Sequence, residues 1–475
     1  MNFMFLNDSW DFTLANFDAV WKVLCQVGLL LIFLLIGNIL RNKVPLFKRC
    51  LIPSALIGGL LLLIVDLICK WCGVILVDNR VMQIITYHGL GIGFAAMTLK
   101  TNKKDKSLDK GQCLDNGLLT AGTYLLQGFV GLGITMVLFL ITEHSQDVIS
   151  YVCGIILPLG FGQGPGNALT WDINYTNLPE ALFHGNGSFG LSIASIGFIV
   201  ASVIGIIYIN IFKKKGLIEI REVKNQKEFI DHTNPDGNEI PDNESVDKFS
   251  IQVGFVTLAY AIAFGIMCLL SFNSFTNSVA WGFNFIWAAG AAVAIKLVLK
   301  FLKKKNVMKR EYINNYSMDR ISGFAFDLMI VAGVAAIQID DVRRYIVPIV
   351  ILCVVGTLIT YAYIRIVAKS KFSAFQHEFF VMTFGTLTGT ASNGMILLKE
   401  IDPNLETPVA NMYIVSTFPA MIFTIPLLLL LNFAATSFTN AGITFGILFA
   451  LWLSYTLFIF RHKLKRKPKK EIVKE

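Results

Sequence analysis

Two glycine-rich stretches contain the residue types whose spacing suits chemistry. The first reads LGFGQGPGNALTW from Leu159 to Trp171, and the second reads VMTFGTLTGTASNGMILLKE from Val381 to Glu400. Both combine glycines, which free the backbone to turn, with carboxamide or hydroxyl side chains that donate and accept hydrogen bonds. Pro165 prevents a continuous helix through the first stretch. This pattern favours the binding of a small polar ligand or an ion by exposed backbone groups.

An interrupted helix exposes free amides at one N-terminus, which attract an anion, and free carbonyls at one C-terminus, which attract a cation. The simpler alternative is that glycines and small hydroxyls only let membrane helices pack closely, but two such clusters in matching positions favour a site. We predict that the ligand contacts Gly162, Gln163, Gly164, Gly166, Asn167, Gly389, Thr390, Ser392 and Asn393. Candidates for contact with a coupling ion are Asp327, Thr386, Thr388 and His88.

Asp327 and His88 are titratable residues inside apolar runs. An unpaired carboxylate there costs about 3 kcal/mol on insertion scales, so Asp327 is predicted to bind sodium, carry a proton or pair with a substrate amine. The alternative is a protonated or hydrogen-bonded carboxyl that serves packing. His88 lies beside flexible glycines. For this residue, a structural hydrogen bond is favoured over contact with an ion. Asp66, near the end of its run, is predicted to be structural.

The elements that must position these residues are membrane spans. Of the residues, 55% are hydrophobic and 15% are charged, and the apolar residues occur in long uncharged runs. A membrane span needs about 20 mostly apolar residues. Eleven runs meet this description: 18–40, 51–69, 81–99, 117–142, 187–212, 251–271, 278–301, 321–339, 345–366, 409–435 and 440–460. Two further runs, 148–170 and 378–398, are interrupted by glycine.

The basic residues predict the topology. Of the 41 lysines and arginines, 35 lie in seven segments, and short basic loops stay on the cytoplasmic side. All the basic loops lie on the cytoplasmic side only if each interrupted run enters the membrane and returns to the face from which it came. We therefore predict an external N-terminus and a cytoplasmic C-terminus. The net charge of +9 then reflects insertion and anionic lipid, so no nucleic acid is required.

The span order predicts two halves of opposite orientation. Four spans precede the first interrupted run and one follows it, and the second half repeats this order, as in the inverted repeats of many transporters. The predicted fold is an all-α polytopic membrane protein with two inverted repeats of five helices, each containing a glycine-rich re-entrant or broken helix, plus one extra C-terminal helix. The predicted boundaries are 1–212 for the first repeat, 213–250 for a cytoplasmic linker, 251–435 for the second repeat, and 436–475 for the extra span and basic tail.

Three segments, CLIPSALIGGLLLLI, ILPLGFGQGPGNALTW and FVMTFGTLTGTASNGMILL, resemble the bacterial sodium/glutamate symporter family over most of residues 20–435. The resemblance implies inverted five-span repeats with re-entrant elements, a homodimer, an elevator-like movement of a core against a scaffold, and coupling of an acidic amino acid to sodium. Glutamate carriers tend to read G-G-x-G-T-G followed by Ala, whereas residues 160–167 here read GFGQGPGN. Gln163, Pro165 and Asn167 are therefore the positions expected to decide the substrate.

The expected function is sodium-coupled symport of glutamate or a related small acidic amino acid at the cell membrane, with sodium as coupling ion and no other cofactor. The alternative within this class is another small organic acid or amino acid, coupled to sodium or protons. An enzyme is disfavoured because the sequence contains no H-E-x-x-H, G-x-S-x-G or P-loop motif and no pair of intramembrane aspartates. A channel is a further alternative. It would differ from a carrier in showing no saturable uptake that depends on a second ion.

Overall fold

The computed structural model describes residues 21–101, 109–142, 150–218, 247–272, 274–308 and 310–461. The predicted basic tail, most of the predicted linker and the predicted external N-terminus lie outside these ranges. Within them the regular structure is helical, without β-strands. The α-helices are α1 Lys22–Lys43, α2 Pro45–Arg49, α3 Ser54–Trp71, α4 Asn79–Leu99, α5 Lys110–Ile141, α6 Pro165–Thr176, α7 Ser188–Lys214, α8 Lys248–Leu270, α9 Ser274–Gly282, α10 Asn284–Lys304, α11 Asn315–Ala335, α12 Ile339–Arg344, α13 Ile346–Lys371, α14 Gln376–Thr388, α15 Ala391–Ile401, α16 Val409–Ala435 and α17 Phe438–Ile459.

Each of the eleven predicted spans overlaps a long helix, and ten of them coincide with one. Nine helices of the described residues are long and apolar enough to cross a membrane, which makes the chain a multi-pass membrane protein. The other two, α4 and α11, have 21 residues each but are more polar. The run 278–301 is not one helix, because α9 ends at Gly282 and α10 begins at Asn284. In each predicted half, four long helices precede the interrupted segment and one follows it, while the inverted repeat stays a prediction.

The long helices pack in two groups. The first group contains α1, α3, α4, α8, α10 and α11, and small residues let these helices approach closely: Gly59 of α3 lies against Val331 and Val334 of α11. The second group contains α5, α7, α13, α14, α15, α16 and α17. The α6 helix lies between the groups, since it packs on α7 of the second group and on α4 and α11 of the first.

Contacts between loops join segments that are predicted to share a side of the membrane. On one face, the Lys100 ammonium lies 2.5 Å from the Asp319 carboxylate, which joins two of the basic segments predicted to be cytoplasmic. On the other, the Tyr151 hydroxyl donates to the Ala435 carbonyl at 2.8 Å, which joins two segments predicted to be external. Segments predicted to share a side therefore touch each other. Which face is cytoplasmic stays a prediction.

Two charged residues near span ends have structural partners. Asp66 is buried, accepts a hydrogen bond from the Val77 amide at 2.9 Å and pairs with Lys70 at 2.7 Å, which agrees with its predicted structural role. The Lys296 ammonium donates to the Lys100 carbonyl at 3.1 Å, just beyond the C-terminus of α4. A cation there complements the negative end of the helix dipole.

Asp115 ties the extra C-terminal helix to the rest of the protein. Its buried carboxylate lies 2.5 Å from the Arg461 guanidinium at the end of α17 and 3.7 Å from the Lys371 ammonium at the end of α13. Asp115→Asn is expected to lower stability by about 1.5–3 kcal/mol, because the neutral carboxamide removes the negative charge that Arg461 and Lys371 share in a mostly buried place. Thermal unfolding of the purified protein measures this loss. The exposed pair of Lys303 and Glu311, 2.6 Å apart, supplies the control: Glu311→Gln should change stability by less than about 1 kcal/mol.

Candidate functional site: two interrupted helices that meet

The first interrupted helix, residues 150–181, folds back on itself. A 3-10 turn at Cys153–Ile156 and a π-helical turn at Leu159–Gln163 lead to Gly164, from which α6 departs. Gly164 has φ +91° and ψ 175°, a conformation open almost only to glycine. The Ser150 hydroxyl donates to the Ala181 carbonyl at 2.5 Å, so the beginning and end of this segment lie side by side. The chain therefore returns to the level at which it started.

The second interrupted helix, residues 376–401, is also a hairpin. α14 ends at Thr388, Gly389 and Thr390 adopt non-helical backbone, and α15 begins at Ala391. A Cβ atom built on Gly385 would lie 2.8 Å from the Cα atom of Gly394, so glycines let the two halves pack in direct contact. The interruptions thus occur within both predicted stretches, although α6 continues to Thr176, beyond the predicted boundary at residue 170.

The two interruptions meet inside the protein. A Cβ atom on Gly164 would lie 4.0 Å from Cγ2 of Thr390 and 3.8 Å from Cε of Met329 in α11. Gly197, within α7, separates them on one side: its Cβ atom would lie 3.2 Å from Cδ1 of Phe161 and 2.5 Å from the Thr388 carbonyl. Because Gly197 and Met329 both lie inside their helices, α7 and α11, the meeting point lies away from the ends of these two helices.

α5 braces both interruptions from one face. The Tyr124 hydroxyl donates to the Gly162 carbonyl at 3.0 Å. One turn later, Nε2 of Gln127 donates to the Leu387 carbonyl at 3.1 Å and to Oγ1 of Thr360 at 2.8 Å. Residues three apart share a helix face, so α5 holds the first interruption with one side chain and the second with the next. Neither residue was predicted from the sequence, although a glutamine inside an apolar run is a signal that points to Gln127.

Carboxamides at the interruptions have buried atoms without hydrogen-bond partners. Asn167 is 1% exposed and Asn393 is 4% exposed, and Nδ2 of Asn167 donates to Oε1 of Gln163 at 3.1 Å. Buried polar groups nearly always have a partner, so a cluster without partners indicates a place for a ligand. Of the thirteen such side-chain atoms in the described part of the chain, four lie on carboxamides at or beside the two breaks: Nε2 of Gln163, Oδ1 of Asn167, Nδ2 of Asn393 and Oε1 of Gln127.

The structure brings some predicted site residues together and separates others. Gly162, Gln163, Gly164, Asn167, Thr390 and Asn393 cluster at the meeting point, while Gly166 packs against Leu90 of α4. Thr386 and Thr388 are buried beside it, but their hydroxyls donate to carbonyls of their own helix, Met382 at 2.8 Å and Phe384 at 2.7 Å. Their oxygens keep lone pairs for a cation.

Three further predicted residues are exposed. Ser392 is exposed, next to the buried Asn393. His88 is exposed on α4, and its Nδ1 atom lies 2.8 Å from the Tyr260 hydroxyl of α8. Asp327 is also exposed, and two residues along a helix turn the side chain through about 200°, so Asp327 points away from the face of α11 that carries Met329. Contact of these three residues with a ligand stays a prediction.

Helix ends supply the electrostatics of the site. α6 begins at the interruption without a side-chain cap and with proline in its first turn, so its free amides point to the gap. α15 begins there as well, capped by Thr390, whose hydroxyl accepts from the Asn393 amide at 3.5 Å. α14 ends there with its last carbonyls. The meeting point therefore presents positive helix ends beside a negative one, which suits a ligand that carries both charges.

In the described part of the chain, no three His, Cys, Asp or Glu residues cluster in a way that could hold a metal ion. An alkali cation would instead use carbonyl, hydroxyl and carboxamide oxygens, which the interruptions offer.

The two hairpins meet between long apolar helices. The chain is thus a multi-pass α-helical membrane protein with an internal polar site. No protein-family model matches the chain, and no curated protein matches it either. The resemblance to the sodium/glutamate symporter family therefore stays a prediction that depends on the glycine-rich segments.

Proposed function

We propose that the protein is a secondary active transporter that couples a small amino acid or related carboxylate to a cation. The observation that supports this proposal best is the meeting of two interrupted helices around unpartnered, buried carboxamides. Non-helical backbone inside a membrane is stable only where protein or a polar cavity surrounds it, because each unsatisfied amide in lipid costs several kcal/mol. Transporters use such interrupted helices to bind substrate and ion together.

The substrate proposed first is glutamate, on the basis of the family resemblance, and the coupling ion is sodium. The free amides of α6 and the carboxamides of Gln163 and Asn393 suit a carboxylate. The Asn167 carboxamide oxygen and the threonine oxygens of α14 suit an ammonium group or sodium. Another small amino acid or organic acid, or protons as the coupling ion, would use the same groups.

Alternating access is the proposed mechanism. The α6 hairpin contacts both helix groups, whereas α14 and α15 pack mainly on α7 and α13 of their own group. Movement of the second group against the first would change which face reaches the meeting point. In this proposal the first group is the scaffold of a homodimer in the cell membrane, with the N-terminus outside and the C-terminus in the cytoplasm.

The experiment that tests the proposal is uptake of labelled L-glutamate into proteoliposomes that contain the purified protein. An inward sodium gradient is compared with one in which potassium replaces sodium. Saturable accumulation that requires sodium supports the proposal and its substrate. Accumulation of another carboxylate or amino acid under a sodium or proton gradient would retain the transporter class but replace glutamate or sodium, and flux without saturation or ion coupling would favour a channel.

A further inference from the structure

Gln127 is a buried side chain that sequence analysis assigned to no role. It is 0% exposed, lies within α5 and touches the last turn of α14 through the hydrogen bond from Nε2 to the Leu387 carbonyl. Its other carboxamide atom, Oε1, is buried and has no partner. An orphaned oxygen of this kind, beside an interrupted helix, points to a missing ligand group.

The partners of Gln127 determine which groups its free oxygen atom, Oε1, can bind. The Leu387 carbonyl is an acceptor only, so the atom that faces it must be the amide nitrogen, which fixes the orientation of the carboxamide. Both hydrogens of Nε2 are used, one by Leu387 and one by Thr360. Oε1 is therefore an acceptor with no alternative, and its partner must be a hydrogen-bond donor or a cation.

The end of α14 gives this acceptor a negative surrounding. The helix has 13 residues and ends at Thr388, so the carbonyls of its last turn have no partner further along the helix. The partial charge at a helix C-terminus is negative and attracts cations. Nε2 of Gln127 bonds to one of these carbonyls, so Oε1 belongs to a carboxamide that contacts this helix end.

We propose that Oε1 of Gln127 and the last turn of α14 together bind a cationic group. The group is the ammonium of the transported amino acid or the coupling cation, which share this chemistry. The inference rests on the proposed function, since it assigns a further binding residue to the same site. In the first case Gln127 distinguishes amino acids from carboxylates without an amino group, and in the second it sets the affinity for the coupling ion.

The protein contains a matched control for this residue. Gln252 of α8 is also 0% exposed, but both ends of its carboxamide are used: Nε2 donates to the Tyr312 carbonyl at 2.7 Å, and Oε1 accepts from the Asn314 amide at 3.0 Å. It lies in the other helix group. Replacement of either glutamine by methionine, which is similar in length, removes a buried carboxamide, but only Gln127→Met removes an unpartnered acceptor.

The experiment measures ligand-induced thermal stabilisation of the purified protein. Wild type, Gln127→Met and Gln252→Met are titrated with NaCl against choline chloride, and then with L-glutamate or glutarate at fixed NaCl. Glutarate has the carbon chain and both carboxylates of glutamate but no amino group. If Oε1 binds the ammonium, Gln127→Met should weaken L-glutamate by about tenfold or more, so that it no longer differs from glutarate, with the sodium titration unchanged. If Oε1 binds the coupling cation, the half-saturating sodium concentration should rise by about tenfold or more, while the two carboxylates remain distinguished.

Either shift supports the inference, provided that Gln252→Met keeps the wild-type half-saturating concentrations. Titrations of Gln127→Met within about twofold of wild type would overturn it, and so would equal shifts in the two variants. A wild-type protein that responds to neither sodium nor L-glutamate would contradict the proposed substrate and coupling ion, and this inference with them. The two failures are therefore distinguishable.

Gln127→Glu provides a second test if Gln127→Met does not fold. Its protonated carboxyl still donates one hydrogen bond and keeps one acceptor, whereas the ionised carboxylate adds a negative charge that a cationic group would favour. Binding of the cationic group should therefore become tighter as pH rises in Gln127→Glu, relative to wild type. A pH profile parallel to that of wild type would show that this position does not face a cation.

Discussion

Asn167→Ala and Asn393→Ala are each expected to reduce uptake to near background while the protein still inserts and folds. Both side chains are almost fully buried at the meeting point, and each has a carboxamide atom without a partner inside the protein. A hydrogen bond to a charged group contributes about 1.5–3 kcal/mol, so the loss of one corresponds to roughly 10- to 140-fold weaker binding. Because Asn167 and Asn393 lie on different hairpins, each substitution removes a contact from one side of the ligand.

Initial rates of uptake into proteoliposomes, across a range of substrate concentrations, measure this effect, and thermal unfolding reports folding separately. Asn284→Ala is the matched control, because Asn284 is 1% exposed and also has an unpartnered oxygen, Oδ1, but lies in α10, on neither hairpin, where its Nδ2 atom donates to the Tyr87 carbonyl at 2.9 Å. It should lower the unfolding temperature and leave the half-saturating substrate concentration within about twofold. Wild-type uptake by both Asn167→Ala and Asn393→Ala would refute the site.

Much of the fold is predictable from the sequence because each membrane span requires a long run of apolar residues. A span of about 20 apolar residues must be helical, since lipid offers no hydrogen bonds to the backbone. Glycine and proline act locally, so the interruption at Gly164 and Pro165 is readable from residue types alone. The break between α9 and α10 was missed because Gly282 and Phe283 lie in an otherwise apolar run whose composition is compatible with an unbroken helix.

The candidate site is predictable only in part because contacts between distant segments leave no local signal. Ser392 and Asn393 are adjacent and equally polar, yet one is exposed and the other buried. The difference depends on how α15 rotates when it packs against α14. Gln127 gains its role from Leu387, 260 residues away, and no spacing along the chain reveals that approach. Residue type identifies candidates, whereas helix rotation decides which of them reach the ligand.

Gly164→Ala should reduce uptake by at least about tenfold, although the added methyl group fits. The nearest side-chain atoms to the new Cβ would be at 3.8 and 4.0 Å, which is ordinary contact. The obstacle is the backbone, because φ +91° with ψ 175° belongs to a region that residues with a Cβ atom occupy at a cost of about 1–3 kcal/mol. The chain either retains this strain or rotates Gly164. Rotation would move the first turn of α6 and the carboxamides of Gln163 and Asn167 that flank the interruption.

Gly254→Ala separates this backbone effect from the general consequence of an added methyl group. Gly254 lies within α8, its Cβ atom would have no neighbour within 4 Å, and its φ is not in the left-handed region. Alanine there should retain wild-type uptake and raise helix stability slightly, since glycine is the poorer helix former by about 1 kcal/mol. Uptake and unfolding temperature are measured for both variants. If Gly164→Ala transports like Gly254→Ala, the conformation at the first interruption does not matter for transport, and the ligand must bind elsewhere.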